Sequence, residues 1–354
     1  MNKAKEVGPA IFLKNTACMT VLTLALCLFP QLVQSQEEKV SKLFRDDTPL
    51  DVRISYSFQQ IKKNSPSKTY AKTYFGYKNE DGTWDSVQVE VRARGNFRQA
   101  RCVFAPIKIK IPKKDRKGTI LAGNKSLKLV LPCQNAKYSS DLVVKEYLCY
   151  KLYEPISPYF FHTRLVNITV TDVQAKNSKS YQLKGILVED DTEIAERFGA
   201  ELKPDAEINP FRHHDTTSVN LDFFQYMIAN TDWSSYYQHN IQMMQLPNKQ
   251  YIPLAYDFDM AGLVDAPYAT VSDAIPINSV RERYFRGLCR TDELYSFARN
   301  YFLGKEQEIM EAFRYIDGQI DPREIEKSKN YLNGFFKTLK NDTYFKTEIL
   351  MNCR

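Results

Sequence analysis

No two cysteines of this chain are spaced Cys-x-x-Cys, which speaks against a structural zinc site. No glycine-rich phosphate loop is present; Gly95 stands alone among basic residues. Beyond residue 35 no apolar stretch approaches the roughly 20 residues needed to cross a bilayer, so no transmembrane anchor is expected. No internal repeat is evident. What the sequence does have is the composition of a packed globular protein. It is 43% hydrophobic and 26% charged, which is wrong for a disordered chain. Its 22 Tyr and 21 Phe argue for an aromatic-rich core.

The N-terminus reads as an export signal. Lys3, Lys5 and Lys14 form a positive region, Ala17 to Leu28 is uncharged and apolar, and Pro30 breaks it. Cleavage is expected after Ser35, giving a periplasmic or extracellular protein. Leu26, before Cys27, is too large for the usual lipoprotein signal. Five cysteines then remain: Cys102, Cys133, Cys149, Cys289 and Cys353. An odd number leaves at least one thiol free or paired between chains. Cys102 with Cys133 is the preferred pair, because both flank strands of one subregion. The net charge is +7, and the densest basic run, Lys108 to Lys117, holds six basic residues. That run reads as a strand end and turn, with a phosphate-facing patch as the sharper alternative. Net charge alone is no case for nucleic acid, and none is expected as partner.

Hydrophobic periodicity divides the chain as follows: 1–35 signal peptide, 36–48 flexible lead-in, 49–190 strand-rich, 191–354 helix-rich. Alternation over Leu50–Tyr56, Val87–Val91, Pro106–Ile111 and Leu127–Leu131 predicts strands of a mainly antiparallel region. Ser140-Asp141 opens a helix of about twelve residues that Pro155 ends. Leu165–Val170 and Gln182–Glu189 read as a strand pair. Thr217 or Ser218 is expected to cap the next helix, which runs into Ala229-Asn230-Thr231-Asp232. A hairpin with Pro247-Asn248 at its turn follows, then two or three amphipathic helices from Thr291 to about Phe345. Strands followed by helices suggest an α+β class, a strand-rich lobe and a helix-rich lobe with a cleft between them.

The chemistry concentrates in Asn230-Thr231-Asp232-Trp233, Asn240 and Tyr256-Asp257-Phe258-Asp259. Phosphoryl transfer from a nucleotide needs a carboxylate near the acceptor hydroxyl and hard oxygen ligands for Mg²⁺. A loop, a short hairpin and an acidic turn would bring these groups to one end of the hairpin. Each motif taken singly is also an ordinary turn or cap. His213-His214-Asp215 reads as a solvated polar loop.

Over residues 88–263 the chain resembles the CotH family of atypical, secreted or spore-coat kinases. Arg92-Ala93-Arg94-Gly95-Asn96 is similar to that family's Arg-Gly-Asn motif, and Ala105–Ile111 to its proline-led Lys-x-Lys strand. Gly185–Glu189 is similar to its Gly-x-x-x-x-Glu strand. Asn230-Thr231-Asp232 and Tyr256-Asp257-Phe258-Asp259 resemble its catalytic-loop and metal-binding motifs. HipA-type kinases share the loop-and-hairpin layout. The resemblance implies a two-lobed protein-kinase-like fold that uses ATP with Mg²⁺ or Mn²⁺. It implies Asp232 as base, and Asn240 and Asp257 as metal ligands. Lys108, or Lys110 in a shifted register, would hold the phosphates, Glu146 would orient that lysine, and Glu189 would lie near the adenine. Asp259 would support Asp257 or bind a second ion. Two functions follow: an exported kinase acting on a protein or glycan hydroxyl, or an inactive pseudokinase-like binding module at the cell envelope.

Overall fold

A computed structural model describes residues 40–354 apart from 96, 175–176 and 205. The expected export signal and residues 36–39 lie outside the described residues. Alternation is what builds the main sheet. In β1 (Leu50–Tyr56) Leu50, Val52, Ile54 and Tyr56 are buried; in β3 (Trp84–Ala93) Val87, Val89, Val91 and Ala93 are. In β4 (Ile107–Lys110) the two isoleucines point into the core and the two lysines do not. With β2 (Ala71–Lys78), β5 (Ser126–Val130), β6 (Thr163–Asp172) and β7 (Lys179–Glu189) these strands form a closed barrel in the order β1-β2-β3-β4-β5-β7-β6. All neighbours are antiparallel except the closing pair. There β1 runs parallel to β6, from Leu50 opposite Val166 to Tyr56 opposite Asp172. Gly185 of β7 permits close packing, since a Cβ there would sit 3.1 Å from both Val130 O and Val166 Cγ2.

This overturns the two-lobed kinase-like α+β architecture. The sheet expected to form the open wall of a cleft closes on itself, and residues 41–354 form one unit rather than lobes divided at 190/191. The physical reason is the β1–β6 pairing: both edges of the sheet satisfy each other, so no free edge remains. Strand alternation is the same whichever neighbour a strand takes, so the sequence does not announce this closure.

Ten α-helices occur among the described residues. Three short ones lie within the barrel segment: α1 (Phe58–Lys63), α2 (Phe97–Arg101) and α3 (Lys113–Arg116). α4 (Lys137–Tyr153) begins before the expected Ser140 and buries Val143, Val144, Tyr147, Leu148 and Leu152 against Leu165, Ile186 and Val188 on the outside of the barrel. The same apolar cluster continues through α6 (Asp215–Met227), α7 (Asp292–Gly304) and α9 (Pro322–Lys340). α5 (Asp191–Arg197), α8 (Glu306–Glu311) and α10 (Asp342–Glu348) complete the set. The cap of α6 is His214, whose ring nitrogen accepts from the Thr217 backbone, rather than Thr217 or Ser218. Its neighbour His213 is buried rather than solvated. A second sheet, β8 (Glu201–Leu202), β9 (Ile241–Gln245) and β10 (Tyr251–Ala255), carries the expected hairpin.

Residues 41–48 are tied to the barrel rather than forming a loose lead-in. Leu43 and Phe44 are buried, and the Arg164 guanidinium donates to Leu43 O, Thr48 O and Asp46. Disulfides join Cys102 to Cys133, as expected, and Cys289 to Cys353; Cys149 is a buried free thiol. No helix among the described residues is long and apolar enough to cross a membrane.

Asp222 of α6 is buried behind the 286–290 segment. Burial raises its carboxyl to about 7, against the opposing pull of Arg290 and Arg354 and a hydrogen bond from the Leu288 backbone. The folded state therefore holds a proton that the unfolded state releases near pH 4. Stability attributable to Asp222 falls as pH rises from about 4 to 7 and is flat above, by no more than about 4 kcal/mol. Asp222→Asn is expected to flatten that part of the curve, read from urea unfolding midpoints between pH 4 and 8.

Candidate functional site

The site forms where α6 ends and the β9–β10 hairpin begins. After Ile228, Ala229 turns the chain with a left-handed backbone (φ 51°). The segment past Asp259 grips this turn: Gly262 N donates to Ala229 O and Leu263 N to Ile228 O. A Cβ on Gly262 would lie 2.2 Å from Val280 O, so only glycine fits. The Asn230 side chain, buried, accepts from the Asp232 backbone N–H at 3.0 Å, and the Arg286 guanidinium holds Thr231 O.

Asp232 is thus aimed by its own turn. Asn240 Nδ2 donates to its Oδ2 at 3.0 Å and to its backbone O at 2.8 Å, and His239 Nε2 lies 2.8 Å from its Oδ1. The carboxylate remains 38% exposed, open to a ligand. Across the hairpin Tyr256 N donates to Asn240 O at 3.2 Å, which sets Asp257 beside this pair. Asp257 takes a left-handed backbone (φ 62°), and its N–H is held by the Tyr150 hydroxyl at 3.0 Å. The three residues read from the motifs as base and metal ligands, Asp232, Asn240 and Asp257, therefore gather at one end of the hairpin.

The other expected contacts are rearranged. Glu146 does not meet Lys108. Its Oε2 lies 3.2 Å from Nη1 of Arg98, on α2, and Lys108 instead pairs with Asp190 at 2.6 Å. Arg98 is the centre of the buried charge. Its guanidinium is 3.7 Å from Asp259 and 3.9 Å from Asp257, and it donates to Leu131 O at 2.6 Å. Burial works against its charge, but Glu146, Asp259, Tyr268 and Asp257 keep its pKa above the ordinary arginine value. Burial raises the carboxyl groups of Glu146 and Asp259, and Arg98 pulls both down. Glu189 does not offer a free carboxylate to an adenine. It is buried, chelated by Arg197 at 2.9 and 3.1 Å, and accepts from His162 N at 3.0 Å. Lys110 is committed to Glu90 at 3.0 Å on the barrel exterior.

The barrel supplies a cationic face. Lys108 lies opposite Lys128 in the β4–β5 register. Lys128 pairs with Asp191 and sits 4.9 Å above the Tyr256 ring. Burial, and then Arg94 nearby, lower its pKa against the pull of Asp191. Burial also holds Asp190 back from ionising, yet Lys108 and Ser126 bring its pKa well below the usual carboxylate range.

Arg98, His239 and Asp190 were not identified from the sequence. Arg98 carried one signal: it lies four residues after Arg94 and four before a cysteine assigned to a disulfide. Its burial had none.

Among the described residues no three His, Cys, Asp or Glu side chains come together in a way that would hold a metal ion by themselves. The oxygen donors at the hairpin end still suit Mg²⁺, which is commonly held by one or two carboxylates together with substrate phosphates. Asp257 is 30% exposed on its side chain and Asn240 is half-buried, so both are within reach of a ligand.

Glu146→Ala would take from Arg98 its nearest carboxylate while Asp259 and Asp257 remain within 4 Å, and is expected to cost about 3 kcal/mol in chemical unfolding, with Glu146→Gln costing less because a bond to Arg98 survives. Compared with known protein families, curated proteins and solved structures, the chain finds no match.

Proposed function

We propose that this chain is an exported phosphotransferase, moving the γ-phosphoryl group of ATP to a hydroxyl of a protein or glycan. The observation that carries the reading is the presentation of Asp232. Its carboxylate is oriented by Asn240 and His239 and partly exposed, at the end of the hairpin where Tyr256, next to Asp257, bonds Asn240 O. The cationic barrel face of Lys108, Lys128 and Arg94 supports it, since triphosphate needs positive charge near the acidic end. Two disulfides suit an oxidising compartment, which supports export.

In this reading Asp232 accepts the proton of the acceptor hydroxyl as that oxygen attacks the γ-phosphorus. The bond from the γ-phosphorus to the bridging oxygen of ADP breaks, and ADP leaves with that oxygen. Asn240 fixes the Asp232 rotamer, and Asp257 and Asn240 would hold Mg²⁺. When bound, the ion neutralises charge on the phosphate oxygens. Arg94 and Lys128 orient the phosphates.

One observation favours the second reading, a nucleotide-binding module without catalysis. Lys108 is engaged by Asp190 and has no Glu146 partner. The two readings separate by experiment. On either, ATP with Mg²⁺ should raise the melting temperature by several degrees when present well above Kd, and Asp257→Ala should abolish the rise. Asp232→Asn should keep the rise; on the kinase reading alone it should also remove phosphate transfer to an acceptor hydroxyl. Absence of any nucleotide-dependent rise in the wild-type chain would sink both.

A further inference from the structure

The acidic turn carries two aspartates, and two-ion phosphoryl transfer would use both. The geometry points instead to a single divalent ion, with Arg98 serving as the second cation of the site. This rests on the proposed phosphotransfer reading and adds to it how the site is charged.

Arg98 lies among the carboxylates that a second ion would need as ligands. Its guanidinium is within 4 Å of Asp257 Oδ1, Asp259 Oδ2 and Glu146 Oε2 together. Its side chain is 7% exposed, and those of Asp259 and Glu146 are 8% and 2% exposed, against 30% for Asp257. Only Asp257 therefore faces both the guanidinium and solvent.

Two buried polar atoms, Arg98 Nε and Glu146 Oε1, have no hydrogen-bond partner. A divalent ion needs oxygen ligands at about 2.0–2.6 Å, and a guanidinium in the centre excludes one from the space between Asp257 and Asp259. Mg²⁺ would then meet Asp257 from its exposed side, with Asn240 and phosphate oxygens. Arg98 fixes the other side of the same carboxylate.

The backbone keeps Arg98 in place. α2 is anchored at its far end by the Cys102–Cys133 bond. Leu131 O, which Arg98 caps, lies two residues before Cys133. The disulfide thus ties the guanidinium's helix to the chain that accepts its hydrogen bond.

The test counts ions rather than turnover. Mn²⁺ is titrated into the full mature chain with a non-hydrolysable ATP analogue, and bound ion is read by electron paramagnetic resonance. One ion per chain is expected for the wild type, one for Asp259→Asn, and none for Asp257→Asn. Two ions in the wild type, or loss of the single ion in Asp259→Asn with the fold intact by circular dichroism, would overturn the inference alone. No Mn²⁺ bound by the wild type, with or without nucleotide, would overturn the phosphotransfer reading and this inference with it. The wild-type count stands even if a variant fails to fold.

Discussion

A buried guanidinium surrounded by carboxylates is the contact on which the rest of this structure turns. Arg98 joins four separate stretches: α2, the end of β5 through Leu131 O, α4 through Glu146, and the acidic turn through Asp257 and Asp259. Taking such charges out of water costs several kcal/mol per ion, so a buried pair is weak grounds for stability by itself. An apolar trio of the same volume would pack these elements at less cost. A charged group at this junction makes sense where charge is needed, next to an exposed carboxylate at the mouth of the hairpin. Packing and chemistry here share one side chain.

Backbone strain gathers at the same place. Of the seven non-glycine residues with left-handed backbone among the described residues, Ala229, Gln238, Asn240 and Asp257 bracket the loop and hairpin. Each costs on the order of 1 kcal/mol against a relaxed backbone. Each is also held: Asn240 through Tyr256 N, Asp257 through the Tyr150 hydroxyl, and Gln238 through its amide on Lys203 O and Ala206 O. Ala229 is gripped by Gly262 N. A chain under selection for stability alone would place glycine at such positions, where the conformation is free. Side chains stand there instead, and at Asn240 and Asp257 they are oxygen donors.

What could be read from the sequence followed locality. Alternation in Leu50–Tyr56 and Val87–Val91 gave the strands, and the spacing of Asp232, Asn240 and Asp257 gave the hairpin end, because these depend on neighbours within about thirty residues. The pairing of Cys102 with Cys133 was legible for the same reason. β2 escapes the pattern because its buried residues, Phe75, Gly76 and Tyr77, are consecutive and not alternating. The β1–β6 closure joins residues over a hundred positions apart and leaves no trace in either strand's pattern. The partner of Lys108 was misassigned for a related reason. Glu146, on α4, and Asp190, just past β7, are both acidic, and only the placement of α2 decides that Arg98 takes the first and leaves Lys108 the second.

The same competition sets what the cationic face can do. Lys108 and Lys128 are already met by Asp190 and Asp191, so each can bind a phosphate only by giving up, or sharing, a carboxylate. Arg94 has no carboxylate within 4 Å among the described residues, and it is close enough to Lys128 to push that lysine's pKa down. A phosphate between Arg94 and Lys128 would offset this repulsion while sharing Lys128 with Asp191, whereas one at Lys108 would share it with Asp190 and meet no second cation of this kind. On the proposed reading, a phosphate held by Arg94 and Lys128 would lie beside Tyr256, one residue from Asp257. That places the attraction for phosphate next to the carboxylate that would hold the ion bridging it.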